Sequence, residues 1–203
     1  MAWDHRLARL IAKPIARTGV HPNAVTTAGM LLGLGSGVLF ALGAPVAANV
    51  GAALFMLAAF TDHVDGEVAR SAGKTSTFGH YYDHVAVLVT YCAMFVGAGI
   101  GFSGGALGGW AVAFGVLAGV SVATIMSLRL VVEFRRGKEA IRQGNILGFE
   151  PEDALYLVGP VTWLGAMPPF LVAAGVGAPA FLVWVLWRSR RSAALAEEDS
   201  SRS

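Results

Sequence analysis

Long apolar stretches broken by short polar clusters dominate this chain. No Asp, Glu, Lys or Arg falls within 18–61, 84–128 or 154–187. A helix that crosses the hydrocarbon core of a bilayer needs about 20 apolar residues. The pattern therefore predicts an all-α integral membrane protein with six transmembrane helices, over roughly 23–43, 46–70, 78–101, 106–134, 151–166 and 170–190. The break between the last two falls at Pro168-Pro169, with Gly175-Val176-Gly177-Ala178-Pro179 as the alternative. Ahead of them, Trp3, Leu7, Leu10 and Ile11 recur at helical spacing with Arg6, Arg9 and Lys13 between them. That reads as an amphipathic interfacial helix over 3–17; a disordered basic arm is the alternative. The first apolar run is longer than a usual signal-peptide core and is expected to be retained. The tail from Ser192, with Glu197, Glu198 and Asp199, is expected to be disordered. The organisation is then one membrane domain over 1–191, with 1–20 juxtamembrane, and a cytoplasmic tail over 192–203. There is no internal repeat.

The basic residues test the helix count. Arg6, Arg9, Lys13 and Arg17 precede the first span; Arg70 and Lys74 lie between the second and third. Arg129, Arg135, Arg136, Lys138 and Arg142 lie at or after the end of the fourth, and Arg188, Arg190, Arg191 and Arg202 follow the sixth. With six spans all fifteen fall on one side. The positive-inside rule makes that side cytoplasmic, so both termini are expected in the cytoplasm. Composition agrees: of 203 residues, 55% are hydrophobic and 14% charged, against about 25% charged in soluble domains. The single Cys92 lies mid-span and reads as a small buried apolar residue. A nucleic-acid partner is not expected.

Ionisable groups are costly inside a membrane helix and so mark a site. They gather at Asp62-His63-Val64-Asp65-Gly66-Glu67-Val68-Ala69-Arg70 and at Gly79-His80-Tyr81-Tyr82-Asp83. On a helix, Asp62, Asp65, Gly66 and Ala69 fall within an arc of about 100°. Gly79, Asp83 and Val87 line one stripe of the next helix. The polar connection over 71–78 is short, so these two helices should be antiparallel neighbours whose acids meet. Gathered carboxylates repel unless protonated or bound to cations. Hard oxygen ligands suit Mg²⁺ or Mn²⁺, and two such ions suit phosphoryl transfer. Arg70 adds a planar donor fork for phosphate. A cation-transport site and a purely structural acid–base network are the competing readings.

These residues resemble the signature of the CDP-alcohol phosphotransferase (CDP-alcohol phosphatidyltransferase) family, D-x2-D-G-x2-A-R-x8-G-x3-D-x3-D. Asp62, Asp65, Gly66, Ala69, Arg70, Gly79 and Asp83 match it with the correct spacing. The length, the six spans, the basic amphipathic N-terminal helix and His21-Pro22-Asn23 with Thr26 are also similar to that family. The resemblance implies transfer of a substituted phosphate from a CDP-linked alcohol to an acceptor alcohol, with release of CMP, in phospholipid or related polar-lipid biosynthesis. One substrate would be lipidic, the protein would sit in the cell membrane, and a homodimer is implied. Asp62, Asp65 and Asp83 would hold two divalent ions, Mg²⁺ or Mn²⁺. Gly66, Ala69, Arg70 and Gly79, with Asn23 and Thr26, would bind the nucleotide.

The chain departs from the family at the last acid of the pattern, which is Val87 here. Either the protein is a catalytically degenerate nucleotide- or lipid-binding homologue, or another residue takes the proton. His84 is the candidate base, about 4.5 Å along the axis and about 60° around the helix from Val87. An imidazole has the right basicity near neutrality. His80 is a further phosphate or acceptor candidate, whereas His63 should point away from the face shared by Asp62 and Asp65. Arg129, Arg135 and Arg136 are candidates for an anionic acceptor, with lipid headgroups or simple orientation as alternatives. Thr75 and Ser76 either touch a phosphate or cap the following helix. Glu150-Pro151-Glu152-Asp153 is expected to open the fifth helix. Trp163, Trp184 and Trp187 read as interfacial or packing aromatics.

Overall fold

The computed structural model describes the backbone of 3–136 and 156–201, and the side chains of 7–134 and 156–188. Its elements are α1 (Trp3–Arg17), α2 (Pro22–Ala41), α3 (Pro45–Ser71), α4 (Thr77–Gly101), α5 (Trp110–Arg136), α6 (Val158–Trp163) and α7 (Met167–Ser201). Among the described residues there is no strand. Five helices, α2, α3, α4, α5 and the Met167–Arg188 part of α7, are long and apolar enough to cross a membrane. This is a multi-pass membrane protein, as the apolar runs predict.

Local chemistry sets the helix ends. Pro22 opens α2, where its missing N–H costs nothing, and His21 Nδ1 accepts the Asn23 N–H at 3.2 Å. Ser76 Oγ caps α4 by accepting the Gly79 N–H at 3.0 Å. Between α3 and α4 only 72–76 remain outside helix, and Gly73 turns the chain with φ 63°. The fourth predicted span starts four residues later than expected, because 102–109, rich in glycine, forms turns. In the place of the fifth predicted helix the described residues hold only the six-residue α6, closed by Gly165 at φ 71°. Its expected first residues, 151–155, and the acidic run at 150–153 lie outside the described part. The break falls at 164–166, just ahead of the expected Pro168-Pro169, which lie in the first turn of α7; the alternative at 175–179 is helical, with Pro179 inside α7. The backbone of α7 also runs on through Ser201, where the sequence pointed to a disordered tail. Ala193, Ala194, Leu195, Ala196, Glu197 and Glu198 are strong helix formers, and they outweigh the low apolar content there.

The packing order departs from the expected simple hairpin. α2 lies between α3 and α4 and packs on both, whereas α3 and α4 touch each other far less. Glycines permit this arrangement. A Cβ on Gly37 would meet the Ala93 carbonyl carbon at 2.7 Å, and one on Gly97 would overlap the Gly37 carbonyl. Only small residues let two helices approach so closely. α5 packs on α4, α7 on α5, and the short α6 on α3. Phe40, Phe55, Met94, Phe95, Met167 and Leu171 are buried in the core. α1 forms over the residues predicted for it and packs on α3, burying Ala8 and Ala12 against Val64 and Val68. Leu7, Leu10 and Ile11 of α1 stay exposed.

Candidate active site

α3 and α4 diverge from their short connection, with α2 wedged between them, and the polar residues collect where they part. Asp62 and Asp65 come from the last turns of α3 and Asp83 from the second turn of α4. One carboxylate oxygen of each lies within 4.8 Å of the others. Asp65 is 3% exposed. Asp65 Oδ2 and Asp83 Oδ1 are buried without a hydrogen-bond partner. A buried acceptor without a partner is costly, and a buried carboxylate more so. Three carboxylates facing one another at this range are the donor set of a hard divalent cation. The residues present therefore fit one.

Three adjoining cavities meet at Asp83. The smallest, about 20 Å³, lies between Thr26, Asp62, Asp65, Asp83 and Val87, which is room for about one water or ion. Val87 thus stands beside the three aspartates, where the motif would place its last acid, and adds only methyl groups. A second cavity, of about 290 Å³, is walled by Asn23, Gly66, Ala69, Arg70, Lys74 and Gly79. Gly79 is closely packed here: a Cβ would stand 3.1 Å from Ser76 Oγ and 3.4 Å from Asn23 Oδ1. The Arg70 guanidinium packs over Gly66, where a Cβ would stand 3.5 Å from both terminal nitrogens. A third cavity, of about 220 Å³, is lined by His63, His80, His84, Arg129, Glu133 and Tyr156.

The structure thus divides the predicted residues by cavity. Asn23, Gly66, Ala69, Arg70 and Gly79 share one, and Thr26 faces the aspartates instead. His80 lines both larger cavities, and His84 and Arg129 line the third. The side chains of Arg135 and Arg136 lie outside the described residues, as do Lys138 and Arg142. His63 departs from expectation, since it lines the third cavity beside Asp62 with its Nδ1 3.0 Å from the Ala59 carbonyl. Helix arcs measure only where a Cα–Cβ bond starts; a long ring can still reach round to a wide pocket. Ser76 proves to be a helix cap, and Thr75 lines the second cavity.

Several residues at the site escaped the sequence reading. Ser127 Oγ donates to the Ala123 carbonyl at 2.8 Å and lies 3.5 Å from His84 Nε2. With its one hydrogen used, the hydroxyl can serve His84 only as an acceptor, which suits the tautomer with the proton on Nε2 and the lone pair on Nδ1. Glu133 Oε2 lies 3.7 Å from His80 Nε2, one turn beyond Arg129 on α5. Tyr82 OH, donating to Thr27 Oγ1 at 2.8 Å, ties α4 to α2 beside the site, because Thr27 spends its own hydrogen on the Asn23 carbonyl. The spacing from Arg129 to Glu133 was a usable signal for Glu133; Ser127 and Tyr156 carried none, since only the packing of helices brings them to the site.

A profile of the CDP-alcohol phosphatidyltransferase family matches residues 19–188. The chain belongs to this family. The motif from Asp62 to Asp83 had implied it. An archaetidylinositol phosphate synthase of Pyrococcus horikoshii is 31% identical over 91 residues, 45% of this chain and 47% of that relative. The chain thus matches about half the length of this curated relative. Membership in the CDP-alcohol phosphatidyltransferase family sets aside the cation-transporter reading, and the three clustered aspartates are where the family's divalent metal would sit.

Proposed function

We propose that the protein transfers a substituted phosphate from a CDP-linked alcohol to the hydroxyl of an acceptor alcohol, releasing CMP, in the synthesis of a phospholipid or related polar lipid. The observation that carries this reading is the meeting of three cavities at Asp83: a cation-sized gap among aspartates, a basic cleft, and a polar pocket with three histidines. Asp62, Asp65 and Asp83 would hold the metal, Mg²⁺ or Mn²⁺. A second ion, as the family implies, would share the same carboxylates, with Val87 contributing none. Divalent cations bound there would offset the charge of the donor diphosphate and of the departing CMP. Arg70, Lys74 and Asn23 would bind the nucleotide end, and the small faces of Gly66, Ala69 and Gly79 would let it lie against the backbone. Thr26 packs beside the aspartates rather than in the cleft, so its part is to shape the metal site.

The acceptor would lie in the third cavity with Arg129 and His80. Its hydroxyl oxygen forms a bond to the β-phosphorus, the bond from that phosphorus to the CMP oxygen breaks, and the hydroxyl proton passes to His84 Nδ1. Ser127, 3.5 Å from His84 Nε2, would hold that opposite ring nitrogen in its protonated form.

Six crossings with both termini in the cytoplasm, and α1 lying on that face, belong to the same reading. The fifth crossing is supported by contacts along α3: Tyr156 sits against His63 with ring centroids 6.5 Å apart, Gly159 against Met56, and Trp163 Nε1 donates to the Asn49 carbonyl at 3.3 Å. Eight helical residues advance about 12 Å, so the segment 156–163 covers part of a crossing, directed from the level of the site toward the opposite face. The homodimer implied by the family completes the proposal, and its mass in detergent tests it.

A second reading follows from Val87: a homologue that binds a CDP-alcohol and does not turn it over. CMP release by the purified protein, across a panel of CDP-alcohols and acceptors with Mg²⁺ or Mn²⁺, separates the two. Metal-dependent release that requires an acceptor supports transfer. Donor binding without release, with activity appearing in Val87→Asp, supports the second reading. Absence of both defeats the proposal.

A further inference from the structure

Glu67 belongs to neither the metal cluster nor the cavities, yet its side chain is 7% exposed. It is held by two arginines from different helices. Its Oε1 lies 3.2 Å from Arg70 Nη2, one turn along α3, and 3.5 Å from Arg9 Nη2 on α1. Burial of a carboxylate among apolar neighbours is unfavourable unless cations compensate it. Val64 and Val68 of α3 and Ala8 and Ala12 of α1 form the apolar patch beside it. Arg70 meanwhile stays more than half exposed, lines the basic cleft, and packs flat over Gly66. Its guanidinium is fixed by Glu67 at one terminal nitrogen. A guanidinium has five N–H donors, so one carboxylate contact leaves others for a ligand. A planar fork fixed in orientation loses less freedom on binding an anion than a mobile one.

We propose that Glu67 is a positioning residue for nucleotide binding, and that Arg9 makes α1 part of that device. The docked α1 covers Glu67 and gives it a second cation, so the carboxylate stays charged and in place, and Arg70 is held with its remaining donors in the cleft. The nucleotide affinity of the cleft then depends on a helix that, among the described residues, contributes no group to it. This rests on the reading of that cleft as the nucleotide site.

The test uses the purified full chain and CDP, a soluble stand-in for the nucleotide end of the donor, with Mn²⁺ present. Binding is measured by equilibrium dialysis and thermal unfolding in the same detergent. Glu67→Gln keeps the size of the side chain and removes its charge; CDP should bind about tenfold more weakly, the loss typical of one charge-assisted contact. The double variant Arg9→Glu/Glu67→Arg restores an ion pair between α1 and α3 but sets a cation beside Arg70. Its thermal midpoint should exceed that of Glu67→Arg alone, while CDP binding stays at least tenfold weaker than in the unmodified protein. A merely structural Glu67 predicts instead that binding recovers with stability in the double variant, and that result overturns the proposal. Unchanged CDP affinity in Glu67→Gln overturns it as well. If Glu67→Gln is not recovered folded, the double variant alone decides. A protein that binds no CDP in its unmodified form defeats the nucleotide reading itself, and this proposal falls with it.

Discussion

The two ends of the α2–α4 pair are built on opposite terms. At the apolar end, Gly37 and Gly97 bring backbone against backbone, and a single added carbon has nowhere to go. At the polar end α2 lines two cavities and α4 all three, and two carboxylate oxygens are buried without a partner. One end is optimised for contact and the other keeps groups that oppose folding. The difference separates what the protein spends its packing on from what it keeps for chemistry. Substitutions should therefore act with different signs at the two ends.

The largest effect is expected at the aspartates. Asp83→Asn keeps the shape and removes the charge, and should reduce metal-dependent CMP release by about 10³-fold or more, the scale of a lost electrostatic stabiliser. Binding of Mn²⁺, followed by its paramagnetic resonance, should fall with it. Asp65→Ala sharpens the contrast. It should be as inactive, yet in chelator its thermal midpoint should match or exceed that of the unmodified protein, because a buried carboxylate with one oxygen unpartnered has gone. A large loss of stability in chelator would show that Asp65 holds the fold together rather than waiting for a cation.

The apolar end should behave in reverse. Gly37→Val drives methyl groups into the Ala93 backbone and should cost about 1–3 kcal/mol by overpacking. Unfolding in detergent would register this as a lower thermal midpoint. The folded fraction should keep its affinity for CDP, because the cleft lies at the far end. An unchanged midpoint would mean that α2 and α4 can separate, and the comparison would lose one of its sides.

Sequence patterns reached these two ends unequally. The long apolar runs of α2 to α5 and the seven motif positions were readable, because a 3.6-residue period and fixed spacing are local properties. The helix α1 was readable for the same reason, although its buried face is Ala8 and Ala12 and not the larger Leu7, Leu10 and Ile11. Burial there is decided by how closely α1 can approach α3, and alanine allows the approach. The wedge of α2 between α3 and α4 was not readable, since a short connection predicts contact and says nothing of a third helix. Nor were Ser127 and Tyr156, which reach the third cavity only through the packing of α5 and α6. Glu67 was visible as a charge but not as a link to α1, because its partner Arg9 is remote in sequence.

The next effect concerns the proton. His84→Ala should lower kcat about 10²-fold with little change in donor KM, the usual contribution of a general base. Val87→Asp in that background should recover part of the loss, since the new carboxylate would lie in the gap shared by Asp62, Asp65 and Asp83. Steady-state rates of CMP release measure both. Full activity in His84→Ala would remove this base from the mechanism and leave the acceptor proton to another group.

The smallest effect tests whether α5 takes part in catalysis or only walls the pocket. Ser127 contacts His84 through a hydroxyl whose hydrogen is committed to Ala123, so it can only accept. Ser127→Ala removes that acceptor and no bulk that the helix needs. The ring is then free to turn, and Nδ1 faces the acceptor hydroxyl for a smaller share of the time. One ordinary hydrogen bond contributes about 1 kcal/mol, so kcat should fall about fivefold while CDP affinity is unchanged. The loss should vanish in a His84→Ala background, because an orienting group has nothing left to orient. A loss that persists there would assign Ser127 to the wall of the pocket, and the boundary between the protein's packing end and its chemical end would run between α4 and α5 rather than through them.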